Sequence, residues 1–139
     1  VTVAADPVVI AVKVSGDIVT ARQAGRELAT KLGFSLTDIT MISTAISEVA
    51  RNITSYAGTG EIRIAVEDRD GRRALVVQAH DQGPGILDIA RALEDGYSTG
   101  RGLGLGLPGA RRLMDSLLIE STPGQGTLVE MWKWVRPGA

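Results

Sequence analysis

The sequence predicts an α+β fold: a two-layer α/β sandwich with helices on one face of a mostly antiparallel sheet. Three observations carry that expectation. One short alternating segment precedes two stretches of helical periodicity. Two later pairs of alternating segments are each joined by a short turn, which implies antiparallel pairing. Helices confined to one face of such a sheet make two layers around one core. No repeat or linker composition divides the chain, so residues 1–139 are expected to form a single domain.

The elements follow in order. Residues 8–14 read as a strand, with Val8, Ile10, Val12 and Val14 on one face. Asp17 is placed to cap a helix that runs to Leu32, and Gly33 to stop it. Ser35 or Thr37 opens a longer helix, in which Leu36, Ile39, Ile42, Ile46, Val49, Ile53 and Tyr56 recur at helical spacing. Gly58 and Gly60 close it. Residues 61–68 alternate with Ile62, Ile64 and Val66 on one side, and Asp70-Gly71 is a hairpin signal. The return strand, 73–81, turns Leu75, Val77 and Ala79 the same way. A glycine-rich loop follows, with a short helix expected over 87–93. Another helix runs from Leu103 or Leu105 to Met114, with Pro108 near its start, where proline is tolerated. Residues 117–121 and 127–134 are the last strands, joined by Pro123-Gly124-Gln125-Gly126.

Composition narrows the function. A hydrophobic share of 44% supports a core without staples, and no cysteine is present for a disulfide or a thiolate zinc site. Fifteen basic and sixteen acidic residues give a net charge of -1, which argues against nucleic-acid binding as the main task. No apolar run is long enough to span a bilayer and no signal peptide is visible, so a cytoplasmic protein is the expectation. Ten of the seventeen glycines fall in 81–85, 96–109 and 124–126. Such clusters make tight turns or let backbone approach a ligand closely.

Three constellations carry chemistry. Glu48 and Asn52 are four apart, hence neighbours on one helix face. With Val49 as the stripe centre they lie about 100° and 60° to one side, flanking the buried stripe. A carboxylate there suits proton transfer, and an amide oxygen suits a hard cation. Alone, such a pair is also an ordinary polar helix edge. Asp81, in Asp81-Gln82-Gly83-Pro84-Gly85-Ile86, shares the parity of Leu75, Val77 and Ala79 and so points toward the helices. A core-facing carboxylate needs a partner, and a purine amine would be one. An ordinary strand-end turn explains the segment equally well. Finally, Gly100-Arg101-Gly102-Leu103-Gly104-Leu105-Gly106-Leu107 presents backbone N–H groups ahead of a helix, a ready anion site. It lacks the Gly-Lys-Ser/Thr of a Walker loop and the spacing of a dinucleotide fingerprint. Arg101 could supply positive charge to a terminal phosphate.

In this order these segments resemble the N, G1 and G2 boxes of the GHKL (Bergerat-fold) ATPase/kinase superfamily. Gly124-Gln125-Gly126-Thr127 is similar to that superfamily's closing Gly-x-Gly-Thr element. Within it, Ser47-Glu48-Val49-Ala50-Arg51-Asn52 together with 100–114 resembles the short serine kinases of bacterial partner switching, in particular the stressosome switch kinases. The resemblance implies ATP and Mg²⁺ as cofactors. Glu48 would be the general base toward a partner's serine hydroxyl, and Asn52 would hold the Mg²⁺. Asp81 would read the adenine amine, assisted by Thr127. Gly83 and Gly85 would pass the base closely, with Ile86 beside them in the nucleotide site. Gly102, Gly104 and Gly106 would wrap the phosphates, with Leu103, Leu105 and Arg101 in the same site. Residues 88–101 would form a mobile lid. The implied substrate is a STAS-domain antagonist, with a second downstream signalling protein as later partner, and no nucleic acid or membrane is involved. Sequestering a sigma factor is the alternative.

Weaker signals remain. His80 lies on the sheet face opposite Asp81 and reads as a surface residue. Trp132 and Trp134 share that far face and are expected either to dock a protein or to pack on one another. Arg111 and Arg112 are expected to face solvent.

Overall fold

In the computed structural model, which describes residues 2–3, 7–83 and 106–136, helices cover one face of a six-stranded sheet. The chain runs β1 (Thr2–Val3), β2 (Val8–Val12), α1 (Gly16–Leu32), α2 (Leu36–Asn52), β3 (Gly60–Arg69), β4 (Arg72–Asp81), α3 (Gly106–Leu113), β5 (Ser116–Thr122) and β6 (Gly126–Trp134). The sheet order is β1-β3-β4-β6-β5, and β2 pairs with the same edge of β3 as β1 does. All pairings are antiparallel. Strand β1 had no signal in the sequence, because two residues are too few to show a period. The helix expected over 87–93 lies outside the described residues.

Alternation sets the register. Ile62, Ile64 and Val66 stand opposite Ala79, Val77 and Leu75, so one face of the β3–β4 hairpin is continuously apolar. Asp70 and Gly71 close the hairpin with φ of 55° and 79°, the left-handed pair that matches strand twist. Helix α2 lies on that face with Ile42, Ala45, Ile46 and Val49 at 0–1% exposure. Burying each isoleucine contributes about 2 kcal/mol.

The helix ends follow the residue patterns at Ser35 and Gly33 but not at Asp17. The Ser35 hydroxyl accepts from Asp38 N–H at 3.1 Å, so Ser35, not Thr37, caps α2. Gly33 ends α1 at φ 85°. Asp17 is not the cap of α1: Ser15 holds that position, and Asp17 lies in the first turn. Its carboxylate instead accepts from the N–H groups of Lys13 (2.8 Å) and Val14 (3.1 Å). Those two donors hold it below the ordinary carboxyl range.

Four expected core residues are exposed: Val8, Val14, Leu36 and Tyr56. Val14 lies past the end of β2. Leu36 stands thirteen residues before Val49, which rotates it about 140° off the buried stripe. Tyr56 falls in a π turn, Ile53–Ala57, whose wider winding carries it away from the core.

The far face of the sheet is partly covered by its own side chains. Trp132 and Trp134 stand opposite Val76 and Ala74. Their rings meet at 5.5 Å, with Arg69 and Arg72 over them at 4.5 and 4.6 Å. The tryptophans thus pack on each other, and both stay half-buried. His80 is exposed on the same face. Gln78 Nε2 there donates to Glu130 Oε1 at 2.8 Å. No helix among the described residues is long and apolar enough to cross a membrane.

Lys133 is the unusual core residue, at 3% exposure. Its ammonium donates to the Leu113 carbonyl at 2.7 Å and lies 3.9 Å from the Asp38 carboxylate. It joins the start of α2, the last turn of α3 and β6. Lys133→Met leaves a buried carboxylate and a helix-end carbonyl without their cation. Urea unfolding should then show a loss of about 3 kcal/mol, and a loss under about 0.5 kcal/mol would refute the clamp.

Candidate functional site

The second half of α2 is buried without interruption from Ala45 to Ala50. Glu48 lies within this run at 7% exposure, so its carboxylate must be satisfied by protein donors or a ligand. Two donors meet it. Arg51 Nη1 donates to Oε1 at 2.7 Å, one helical turn on. Gly106 N–H, from the first residue of α3, donates to Oε2 at 2.7 Å. Both are charge-assisted bonds of the short, strong kind. The Gly106 bond also shows that the N-terminus of α3 receives negative charge, as helix N-termini do.

Asn52 is the last residue of α2 and is half-buried. Beyond it the π turn brings Ala57 against Gly83, where an added Cβ would approach the Ala57 Cβ to 2.6 Å. The close approach that Gly83 provides here is therefore to the turn after α2. It locks the end of β4 against the end of α2.

Asp81 ends β4 at 8% exposure, and its Oδ1 accepts from Gly83 N–H at 2.9 Å. Across the sheet Asp81 stands opposite Thr127, which is 5% exposed. The Thr127 and Ser121 hydroxyls lie 2.9 Å apart, and Ser121 also donates to the Gly126 carbonyl at 3.2 Å. The carboxylate and the two hydroxyls form a polar edge on the helix-facing side of an otherwise apolar sheet. Gly126 is needed there for two reasons. Its φ is 116°, and a side chain would run into the Asp81 carbonyl.

The structure thus brings Glu48 to Gly106, and sets Asp81 beside Thr127 and against the segment that follows Asn52. Gly85, Ile86, Arg101, Gly102, Leu103, Gly104 and Leu105 lie outside the described residues, as does the lid expected over 88–101. Sequence reasoning missed two partners. Arg51 is three residues from Glu48, a helical spacing that could have found the ion pair. Ser121 shares the parity of Leu117 and Ile119 opposite Thr127, a signal visible in the strand pattern.

A divalent cation is implied by the resemblance, and the donors bear on how it could be held. Among the described residues no group of three or more His, Cys, Asp or Glu could cage a metal. The Asn52 amide oxygen suits a hard cation whose other ligands are phosphate oxygens and water. These residues fit a magnesium ion that arrives with a nucleotide, and do not fit an all-protein cage.

Residues 13–133 match the family model described as "Histidine kinase-like ATPase domain". The chain is 54% identical over 121 residues to the serine/threonine-protein kinase RsbT of Bacillus subtilis, covering 86% of this chain and 90% of that one. It is 31% identical over 119 residues to an anti-sigma F factor of Thermoanaerobacter sp., covering 83% of each. Among solved structures it resembles the RsbU and RsbW domains of a Mycobacterium tuberculosis protein with a TM-score of 0.61, at 22% identity. That match covers 96% of this chain and 34% of the other.

The polar edge makes one demand that stability measurements can check. Gly126→Ala forces a Cβ against the end of β4 at a left-handed φ. Thermal and urea unfolding should show a loss of about 2–4 kcal/mol. An Ala variant as stable as wild type would mean that β4 and β6 meet differently from the geometry above.

Proposed function

Because the chain belongs to the histidine kinase-like ATPase domain family, we infer that it is an ATP-dependent protein serine/threonine kinase of a bacterial partner-switching pathway. The 54% identity to a named kinase over most of both chains supports this. The observation that carries it in the structure is the buried Glu48 carboxylate held against the N-terminus of α3.

In this reading ATP lies between α2 and the end of the sheet. Asp81 accepts from the adenine amine, and Thr127 assists beside it. Gly83, Gly85 and Ile86 pass the base, while Arg101 through Gly106 meet the phosphates. Asn52 offers its amide oxygen to Mg²⁺, which when bound neutralises charge on the phosphates. Glu48 accepts the proton of the partner's serine hydroxyl at a carboxylate oxygen as that hydroxyl attacks the γ-phosphate, the bond from the γ-phosphorus to the bridging oxygen breaks and ADP leaves. Phosphoryl transfer asks mainly for positioning and charge neutralisation. A rigid α2 that carries the base and the amide one turn apart meets that need.

The substrate in this reading is a STAS-domain antagonist. Phosphate placed at its interface adds charge and breaks the complex, which frees the kinase for a second, downstream signalling protein. Its place of action is the cytoplasm, where ATP is supplied. A second reading is favoured by the anti-sigma F relatives: a kinase that sequesters a sigma factor. Sigma binding strengthened by nucleotide, with inhibition of reconstituted transcription, would select it.

The test is to incubate the protein with Mg-ATP and a bacterial cell extract, then identify phosphoserine by mass spectrometry. Glu48→Ala should lower transfer at least 100-fold while retaining ADP binding in calorimetry. Asn52→Ala should lower it similarly and lose the magnesium dependence of binding. Asp81→Asn should weaken adenine nucleotide binding at least tenfold. Wild-type transfer by Glu48→Ala refutes the base, and no heat from ADP or ATP with magnesium refutes the kinase.

A further inference from the structure

Resting on that reading of Glu48, we propose that Arg51 is a positioning residue for the phosphotransfer step: its guanidinium fixes the carboxylate in the orientation that receives the serine proton.

The geometry separates Arg51 from an ordinary surface ion pair. The Glu48 side chain is 8% exposed and the Arg51 side chain 38%, so a carboxylate inside the fold is held by a guanidinium at its rim. A glutamate's last torsion is broad and roughly two-fold, so an untethered carboxylate samples many orientations. Here each oxygen has its own donor: Oε1 has Arg51 and Oε2 has Gly106 N–H. The two donors differ in kind. Gly106 begins α3, and its N–H is among those that phosphate oxygens would claim. Arg51 is on the same helix as Glu48, three residues on, so its backbone keeps its place relative to Glu48 whatever α3 does. It is the donor that remains when Oε2 is given up to take a proton. A donor that satisfies a buried carboxylate also fixes the direction in which its oxygens point. Misplacing a reacting group by about 1 Å can cost on the order of 100-fold in rate. The pair therefore contributes orientation as well as satisfying the buried charge.

The test measures single-turnover transfer of labelled γ-phosphate from ATP to a purified bacterial STAS-domain protein that the wild-type enzyme phosphorylates. Arg51→Ala and Arg51→Gln should lower the maximal rate about 10- to 100-fold, leaving ADP affinity and the KM for the protein substrate within about twofold. Arg51→Lys should recover part of the rate, and free guanidinium should recover part of it in Arg51→Ala. Unchanged rates in both truncations overturn the proposal. So does a raised KM with unchanged maximal rate, which would make Arg51 a docking residue. Glu48→Gln is run alongside. If it transfers at the wild-type rate, the base reading fails and takes this proposal with it. If it is inactive while Arg51→Ala is not impaired, only the role of Arg51 is lost.

Discussion

A carboxylate has been placed in the middle of a helix that the fold buries, and the surrounding structure is arranged to satisfy it. Glu48 sits among Ala45, Ile46, Val49 and Ala50, none of which is exposed beyond 1%. Leaving it unpartnered would cost more than any single core contact contributes. The fold answers with one donor from α2 itself and one from the start of α3. A consequence is that α3 cannot be set down independently. Its first residue is tied to Glu48 and its last turn to Lys133, so the helix is clamped at both ends.

The polar groups lie along one border of an apolar interface. Asp81 and Thr127 close the helix-facing row of β4 and β6, and the close contact between Ala57 and Gly83 pins that border to the end of α2. Polar groups are thus gathered at the rim where helix and strand both terminate. The layers behind it are filled by Ile42, Ile46, Ile62, Ile64 and Val77, all at 0% exposure. A rim built on two packed layers holds its groups more rigidly than a loop-borne site, which phosphoryl transfer rewards.

Much of this could be read from residue order. Parity along β4 placed Asp81 with Leu75, Val77 and Ala79, and all four are buried. The helical wheel placed Glu48 and Asn52 beside the stripe, and Glu48 is buried while Asn52 is half-buried. The failures have physical causes. Leu36 joins the stripe by its three-residue spacing from Ile39, although its angle from the stripe centre excludes it. Tyr56 was extrapolated along a 3.6-residue period that a π turn interrupts. Asp17 has the chemistry of a cap, yet it lies in the first turn of α1 and its carboxylate accepts from the backbone before the helix. Partners such as Arg51 depend on side-chain rotamers, which a one-dimensional pattern narrows but does not select. Lys133 shares the parity of Met131 and Val129, but its chemistry argues for the surface, and only the carbonyl and carboxylate around it reverse that argument.

The back of the sheet has a practical meaning for spectroscopy. The chain's two tryptophans are stacked on each other there, beneath two guanidinium groups, with the whole sheet between them and the Glu48–Asp81 rim. Their emission is consequently an optical reporter of what touches the outer sheet face. A fluorescence titration of the native chain therefore follows events on that face, and a dye carried by an added ligand follows the ligand in a separate wavelength channel.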